Sequence, residues 1–268
     1  MRRDDHEPED RAQRSVQSVE VGGRLLMALA AHPAPMTLKD LAAAADLPPS
    51  RAHPYLVSFG RLRLIEQDAV NGRYALGPAA LQLGLACLKQ LDVLKAANPV
   101  ADTLATGTGH AVALAVWGNF GPTVVRMMDA RQPLHVAMRV GTVMSLLGTA
   151  TGRAFAAVLP PAQLAEALPG ALGDEPDGRS AAVKAAALRD AEAEYRSHGV
   201  NRAVGRPIPG INAFSAPAFD HDGHAVLVVT VLDHHERLSS DWESPSVTAV
   251  RQAATEISAR LGWNGPAA

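Results

Sequence analysis

Between Met36 and Gly77 the chain reads MTLKDLAAAADLPPSRAHPYLVSFGRLRLIEQDAVNGRYALG. This stretch constrains the fold more than any other. Thr37 stands three residues ahead of Asp40, the spacing of a capping box. Leu38, Leu41 and Ala42 give the helix it opens an apolar side. Ala45-Asp46-Leu47-Pro48 supplies a turn. In the helix that follows, Ala52, Tyr55, Leu56 and Phe59 recur at i, i+3, i+4 and i+7, which makes one buried face. Residues 64–67 and 74–76 read as strands. Asn71-Gly72 between them is a hairpin signal, because both residues tolerate positive φ. Helix, turn, helix and hairpin in this order form a winged helix-turn-helix, a device that lays its second helix in the major groove of DNA.

The outward face of that second helix carries Ser50, Pro54, Val57, Ser58 and Arg61, with Arg51 and His53 on its flanks. Arg73 sits beside the hairpin turn, where a wing reaches a phosphate. The expected DNA-contacting set is therefore Ser50, Arg51, His53, Ser58, Arg61 and Arg73. The same geometry also occurs in plain helical bundles, where these arginines would be solvated charges. Residues 14–90 hold eight Lys and Arg against five Asp and Glu, a modest electrostatic footprint for a DNA-binding module.

The chain has 268 residues, enough for two domains with separate cores. Its net charge of −2 argues against a uniformly basic scaffold or a polybasic anchor. The single cysteine, Cys87, excludes an internal disulfide and a cysteine-based zinc site, and its Ala/Leu-rich surroundings mark it as a small core residue. The charged opening MRRDDHEPEDRAQR has no apolar core, so residues 1–14 are expected to be a disordered tail rather than a signal peptide or anchor. No apolar run approaches a membrane span, which points to a cytoplasmic protein without membrane contact.

Residues 18–31 read as a helix with Val21, Leu25, Leu26 and Leu29 on one side, completing a winged domain over 15–77. Pro78 opens a linker helix over 78–98, with Leu81, Leu85 and Leu88 on one side as a dimer contact. A second domain is expected over 99–263. It should hold a short helix at 100–106, strands at 111–117, 123–128, 134–139, 214–219 and 225–232, and helices at 149–159, 161–168, 181–197 and 246–261. Strand pairs joined by short turns, with helices gathered between them, give a mixed α/β (α+β) class: an antiparallel sheet with helices packed on it.

The order and spacing of MTLKDLAAAADLPPS, NGRYALGPAALQLG, GTATGRAF and PGINAFSAPAFDHDG resemble the IclR family of bacterial transcription regulators across residues 15–262. That resemblance implies a winged helix-turn-helix, a linker helix and a GAF-like effector-binding domain. It also implies a homodimer or dimer of dimers, a double-stranded DNA operator as partner, and a small organic acid effector linked to a catabolic operon.

Two departures from the family pattern matter. Recognition helices in the family carry a basic residue where this chain has Pro54. If Ser50 caps the helix, Pro54 lies in its first turn. If the helix starts at Pro48, Pro54 is interior and costs about 3 kcal/mol. A small-molecule-binding or scaffolding protein with a weakened DNA-binding module is the alternative this residue keeps open. In the effector domain, family members that bind small carboxylates place an acidic residue, a cysteine and two serines where this chain has Ala203 or Val204, Ala213, Thr230 and Leu232. Ala150, Thr151 and Gly152 keep a helix start whose free N–H groups can receive an anion. Trp117, Met127, Met138, Met144 and Leu146 either line the same space or belong to the core between sheet and helix. With apolar walls, the expected ligand is an aromatic carboxylate, met by the hydroxyl of Thr151 or Thr230.

Ten histidines raise the question of a metal. His221 and His224 flank a turn, and His234-His235 follow the next strand, so their ends could approach across a hairpin. No HExxH or paired-carboxylate pattern accompanies them. Gly-Thr-Gly at 107–109 is no dinucleotide fingerprint, and neither a GxSxG elbow nor a P-loop is present. No metal, cofactor or catalytic residue is expected, and the chain does not read as an enzyme.

Overall fold

A computed structural model describes residues 16–134, 136, 138–167, 181–263 and 265. The expected tail lies outside the described residues. The chain divides into two compact units, with the boundary between Gln90 and Leu91.

The first unit holds α1 (Gln17–Ala31), α2 (Leu38–Ala44), α3 (Pro49–Arg61), the hairpin β1 (Ile65–Gln67) and β2 (Tyr74–Leu76), and α4 (Pro78–Gln90). Its core joins Val21, Leu25 and Leu29 of α1 to Leu41, Leu47, Ala52, Leu56, Ile65 and Tyr74. Tyr55 and Phe59 are half-buried against that core rather than inside it. Gly22 lets α1 and α3 approach closely, since a Cβ there would meet the Phe59 ring at 2.8 Å. The Thr37 hydroxyl accepts the Asp40 N–H at 3.2 Å and donates to the Asp40 carboxylate at 2.7 Å, which fixes the start of α2. Asp46 makes the turn to α3 with φ +54°, a conformation that short polar side chains tolerate better than others.

The hairpin lies between the expected strands, and its conformation differs from that expected at Asn71-Gly72. Its loop runs from Asp68 to Arg73, closed by Asp68 N–H to Arg73 C=O at 2.8 Å, and of Asn71-Gly72 only Gly72 takes positive φ. Asp68 sets this shape by accepting the backbone N–H groups of Val70 and Asn71 at 2.7 and 3.1 Å. The side chain thus does what an Asn-Gly turn would have done with backbone alone. The helix expected to run unbroken from Pro78 is also different. It ends at Gln90, and Asp92 starts a new helix by accepting the N–H groups of Leu94 and Lys95. Cys87 is exposed on α4 rather than buried in a core. Leu81 and Leu85 are exposed too, and the side chain of Leu88 lies outside the described residues.

The second unit is built on an antiparallel sheet in the order β4-β3-β7-β6-β5. Its strands are β3 (Ala111–Gly118), β4 (Gly121–Met128), β5 (Asn201–Val204), β6 (Ile211–Phe219) and β7 (Ala225–His234). Side chains alternate between the two faces with period two. Val112 and Leu114 of β3 and Leu227, Val229 and Val231 of β7 meet α5 (Val93–Thr108) and α9 (Pro245–Arg260), including Val100, Leu104, Val250 and Ile257. On the opposite face, Ala115 and Val228 pack with Leu146, Leu147, Ala154 and Phe155 beneath α6 (Ala150–Ala156). The short α7 (Pro161–Ala167) and the long α8 (Ala181–His198) complete the unit. Within 134–139 the described residues form no strand, and only Val143 makes an isolated bridge to Thr123 of β4. β5 and the first residues of β6 were not anticipated. β5 is a four-residue edge strand too short for alternation to show.

At the end of β7 the buried Asp233 carboxylate accepts from His110 Nδ1 at 2.9 Å, from Arg237 Nε at 2.9 Å and from the His234 N–H at 2.7 Å, with Arg237 Nη2 in closer contact still. Burial pushes its pKa up, but the bonds from Arg237, His110 and the His234 backbone outweigh it and hold the carboxyl below its usual range. With the folded pKa below the unfolded one, the network stabilises the fold at every pH above the unfolded value. That contribution is lost as pH falls through the folded value. Asp233→Asn should cost about 1.5–3 kcal/mol at neutral pH, as for hydrogen bonds to a charged group, and flatten the acid limb of the stability curve. Urea titrations from pH 7 downward check both.

Candidate functional site

Two surfaces draw attention, one in each unit. In the first, α3 presents Ser50, Arg51, His53, Pro54, Val57, Ser58 and Arg61 to solvent, while Ala52 and Leu56 on its other side are buried. The helix is opened by Pro48 in an extended conformation with Pro49 at its first position, so Pro54 is interior. Of the two readings the sequence left open, this is the costlier one: position 54 has no N–H for the Ser50 carbonyl. One turn on, Ser58 donates its hydroxyl to the Pro54 carbonyl at 3.0 Å.

Arg73 is exposed at the wing but is not a free cation. Its Nη1 donates to the Pro35 carbonyl at 3.0 Å, beside the bridge between Met36 and Tyr74. It ties the wing to the segment that leads into α2, leaving other guanidinium donors outward. The neighbouring Asp68 carboxyl is held below the usual carboxylate range by the backbone N–H bonds of Val70 and Asn71.

In the second unit a cavity of about 240 Å³ lies between the sheet and the start of α6. Its floor is made by Ala203 of β5, Ala213 of β6 and Thr230 and Leu232 of β7. Ala203 pairs with Ala213, and Ala213 with Leu232, so the row crosses three strands in register. The two alanines leave the volume that larger residues would fill. Met138, Thr142, Val143, Met144 and Ser145 close one side, and Thr149, Ala150 and Thr151 form the roof. Arg206, Pro207 and Ile208 of the β5–β6 connection, with Ile211 at the start of β6, close the other.

The Thr230 hydroxyl bonds to that of Thr151 at 2.9 Å and to that of Ser215 at 2.7 Å, a buried chain of three hydroxyls. Thr149 caps α6, its hydroxyl accepting the Gly152 N–H at 3.0 Å and donating to the Ser145 carbonyl at 2.8 Å.

The structure thus brings together Met138, Met144, Ala150, Thr151, Ala213, Thr230 and Leu232 from the sequence-predicted set. Trp117, Met127, Leu146 and Gly152 do not line this cavity. Trp117 meets Phe155 edge-on, with ring centroids 5.6 Å apart. Leu146 is buried beneath α6. Met127 packs with Ala111 and Val124 and borders a separate hollow with Asp129 and Arg131. Gly152 is a packing residue, because a Cβ there would lie 2.1 Å from the Ser145 carbonyl oxygen and 2.5 Å from that of Leu146. Sequence reasoning missed the wall from Arg206 to Ile211. The glycines and prolines of GRPIPG marked a turn, but nothing in them says that it folds back over the sheet.

The histidines do not converge. His221 and His224 flank one end of the β6–β7 hairpin, and His234-His235 lie at the far end of β7. Ten strand residues at about 3.3 Å each separate them. Among the described residues no group of three metal-ligating side chains is present.

Comparison with known proteins places both units. The profile described as Bacterial transcriptional regulator IclR C-terminal matches residues 85–259, and the IclR helix-turn-helix domain matches 18–69. The Glycerol operon regulatory protein of Streptomyces griseus is 30% identical over 93% of this chain and 98% of its own. Pseudomonas aeruginosa HmgR superposes with a TM-score of 0.84 at 35% identity, covering 94% of this chain and all of its own. The Agobacterium tumefaciens repressor BlcR, at 22% identity and a TM-score of 0.78 over 94% of this chain and 99% of its own, shares the fold.

Because the atoms that would crowd a side chain at 152 are backbone, Gly152→Ala should destabilise the second unit by about 3 kcal/mol or more. Gly84→Ala, at an α4 position with nothing within 4 Å, should instead be neutral or gain up to about 1 kcal/mol. Thermal unfolding of the two variants beside the parent protein separates them.

Proposed function

Given that the chain belongs to the IclR family of bacterial transcriptional regulators, we propose that it is a ligand-responsive regulator of a catabolic operon whose effector is a small organic acid with an aromatic body. The observation that carries this reading is the cavity. Its wall is Met, Val, Ile, Leu and Ala, broken by a few hydroxyls, the usual composition of a small-molecule site. An apolar hollow of about 150 Å³ is enough for one benzene ring. A cavity of about 240 Å³ therefore has room for a ring and a short acid side arm. A two-carbon acid would leave most of that apolar surface without partner atoms. A relative that carries the name of a glycerol operon regulator supports the link to catabolism.

In this reading α3 enters the major groove of the operator, with Ser50, Ser58 and Arg61 on the groove face, Arg51 and His53 on its flanks, and Arg73 at the wing. Effector and operator each change the other's affinity by the same factor. The exposed apolar residues Val19 and Met27 of α1 and Leu81 and Leu85 of α4 are taken to meet a second copy, since a two-fold protein reads a near-palindromic site. The protein works in the cytoplasm, where its DNA is. No helix of the described residues is long and apolar enough to cross a membrane.

Arg51→Ala should weaken operator binding by about 1–3 kcal/mol and leave unfolding unchanged. Tyr55→Ala should act the other way round, costing about 2 kcal/mol of stability through lost packing. Anisotropy titrations at fixed salt, with unfolding of each variant, check the pair. Equal DNA affinity for folded Arg51→Ala and the parent protein would sink the contact. Calorimetry against glyoxylate, pyruvate, benzoate, phenylacetate and 4-hydroxyphenylacetate tests the effector class: aromatic acids should bind and release operator, and a preference for glyoxylate or pyruvate would reverse the assignment.

A further inference from the structure

We propose that Arg206 reads the effector's charge, so that the bound acid points its carboxylate toward the β5–β6 connection and its ring toward the sheet. This rests on the reading of the cavity given above. Among the described residues Arg206 is the one charged side chain on the cavity wall, and no Asp or Glu stands there. It is exposed, and among the described residues its guanidinium makes no ion pair or side-chain hydrogen bond. Several other arginines of this unit are committed, and those that are not, such as Arg131 and Arg139, do not line the cavity. Arg153 pairs with Glu194 at 2.9 Å, Arg237 is bound to Asp233, Arg126 pairs with Asp102 at 2.8 Å, and Arg202 bonds the Ser240 carbonyl while lying 4.1 Å over the Trp242 ring. Arg206 also borders the larger groove beside α8, which shares Ser145, Ala203 and Pro207 with the cavity. It therefore stands where the smaller, mostly apolar space meets the larger, more polar one.

Physical chemistry selects this orientation over its reverse. A carboxylate pushed into the apolar end would be buried without a charged partner, which is strongly unfavourable. The other anion acceptor at hand is the start of α6, a helix of seven residues whose Gly152 N–H is already taken by Thr149. Even an unspent helix end carries only about half an elementary charge. The guanidinium carries a full one and offers a fork that matches a carboxylate. An arginine at the mouth lets the acid keep its charge near water while its ring is dried.

The test uses the full-length protein and three acids, benzoate, phenylacetate and 4-hydroxyphenylacetate, each beside its neutral amide, titrated by calorimetry into the parent, Arg206→Ala and Arg206→Lys. The parent should bind its best acid about tenfold or more tightly than the matching amide. Arg206→Ala should lose about tenfold for the acid and little for the amide, so that the preference disappears. Arg206→Lys should recover part of it. An acid that binds the parent and Arg206→Ala alike, with the preference over the amide intact, overturns the assignment of Arg206 and leaves the cavity reading standing. A parent that binds none of the acids overturns both.

Discussion

The second unit depends on one strand being bonded on both sides. β7 is paired with β3 along one edge and with β6 along the other, so neither its register nor its facing can slip without breaking two ladders at once. With period two, that constraint sends Leu227, Val229 and Val231 into one layer and Val228, Thr230 and Leu232 into the other. The first row builds a dense core with α5 and α9. The second row meets small residues on its neighbours and leaves a hollow. One strand therefore fixes at the same time what is rigid in this unit and what is open, and the hollow inherits the precision of the core behind it.

The first unit solves a different problem with few residues. Three helices of at most 15 residues and a two-stranded hairpin share one small core, so side chains fix the ends of elements. Thr37 and Asp40 start a helix, Asp68 shapes a loop, and Arg73 fastens that loop to Pro35. The cost of Pro54 inside α3 falls on an exposed face. There it leaves the buried face through Ala52 and Leu56 untouched, which is how a helix carries a proline and still packs.

What the sequence made legible follows from which signals are local. The periodicity of α3, the cap at Thr37, and the apolar runs of β3 and β7 are written within a few residues of where they act. The break at Leu91 was hidden because Asp92 reads as one more polar residue beside Lys89, Gln90 and Lys95, and its capping bonds are visible only when the backbone turns. Cys87 was misplaced for the same reason, since composition does not say which side of α4 faces water. The strand expected at 134–139 has apolar residues but no partner edge in the described structure, and pairing decides a strand. The candidate cavity was half legible. Thr151, Ala213, Thr230 and Leu232 were reached by matching the chain to the family pattern, whereas Arg206 and Ile208 line it through a connection whose path no periodicity describes.

The chain of hydroxyls from Thr151 through Thr230 to Ser215 has a property that a wall of fixed amides would lack. Each hydroxyl both gives and takes a hydrogen bond, and the proton positions can reverse along the whole chain while every oxygen stays where it is. The wall can therefore turn either a donor or an acceptor toward whatever occupies the hollow, without moving a heavy atom. A phenol and a quinone of the same outline would meet the same welcome there. Were such a molecule bound there, these hydroxyls would leave the oxidation state of its ring oxygens unread.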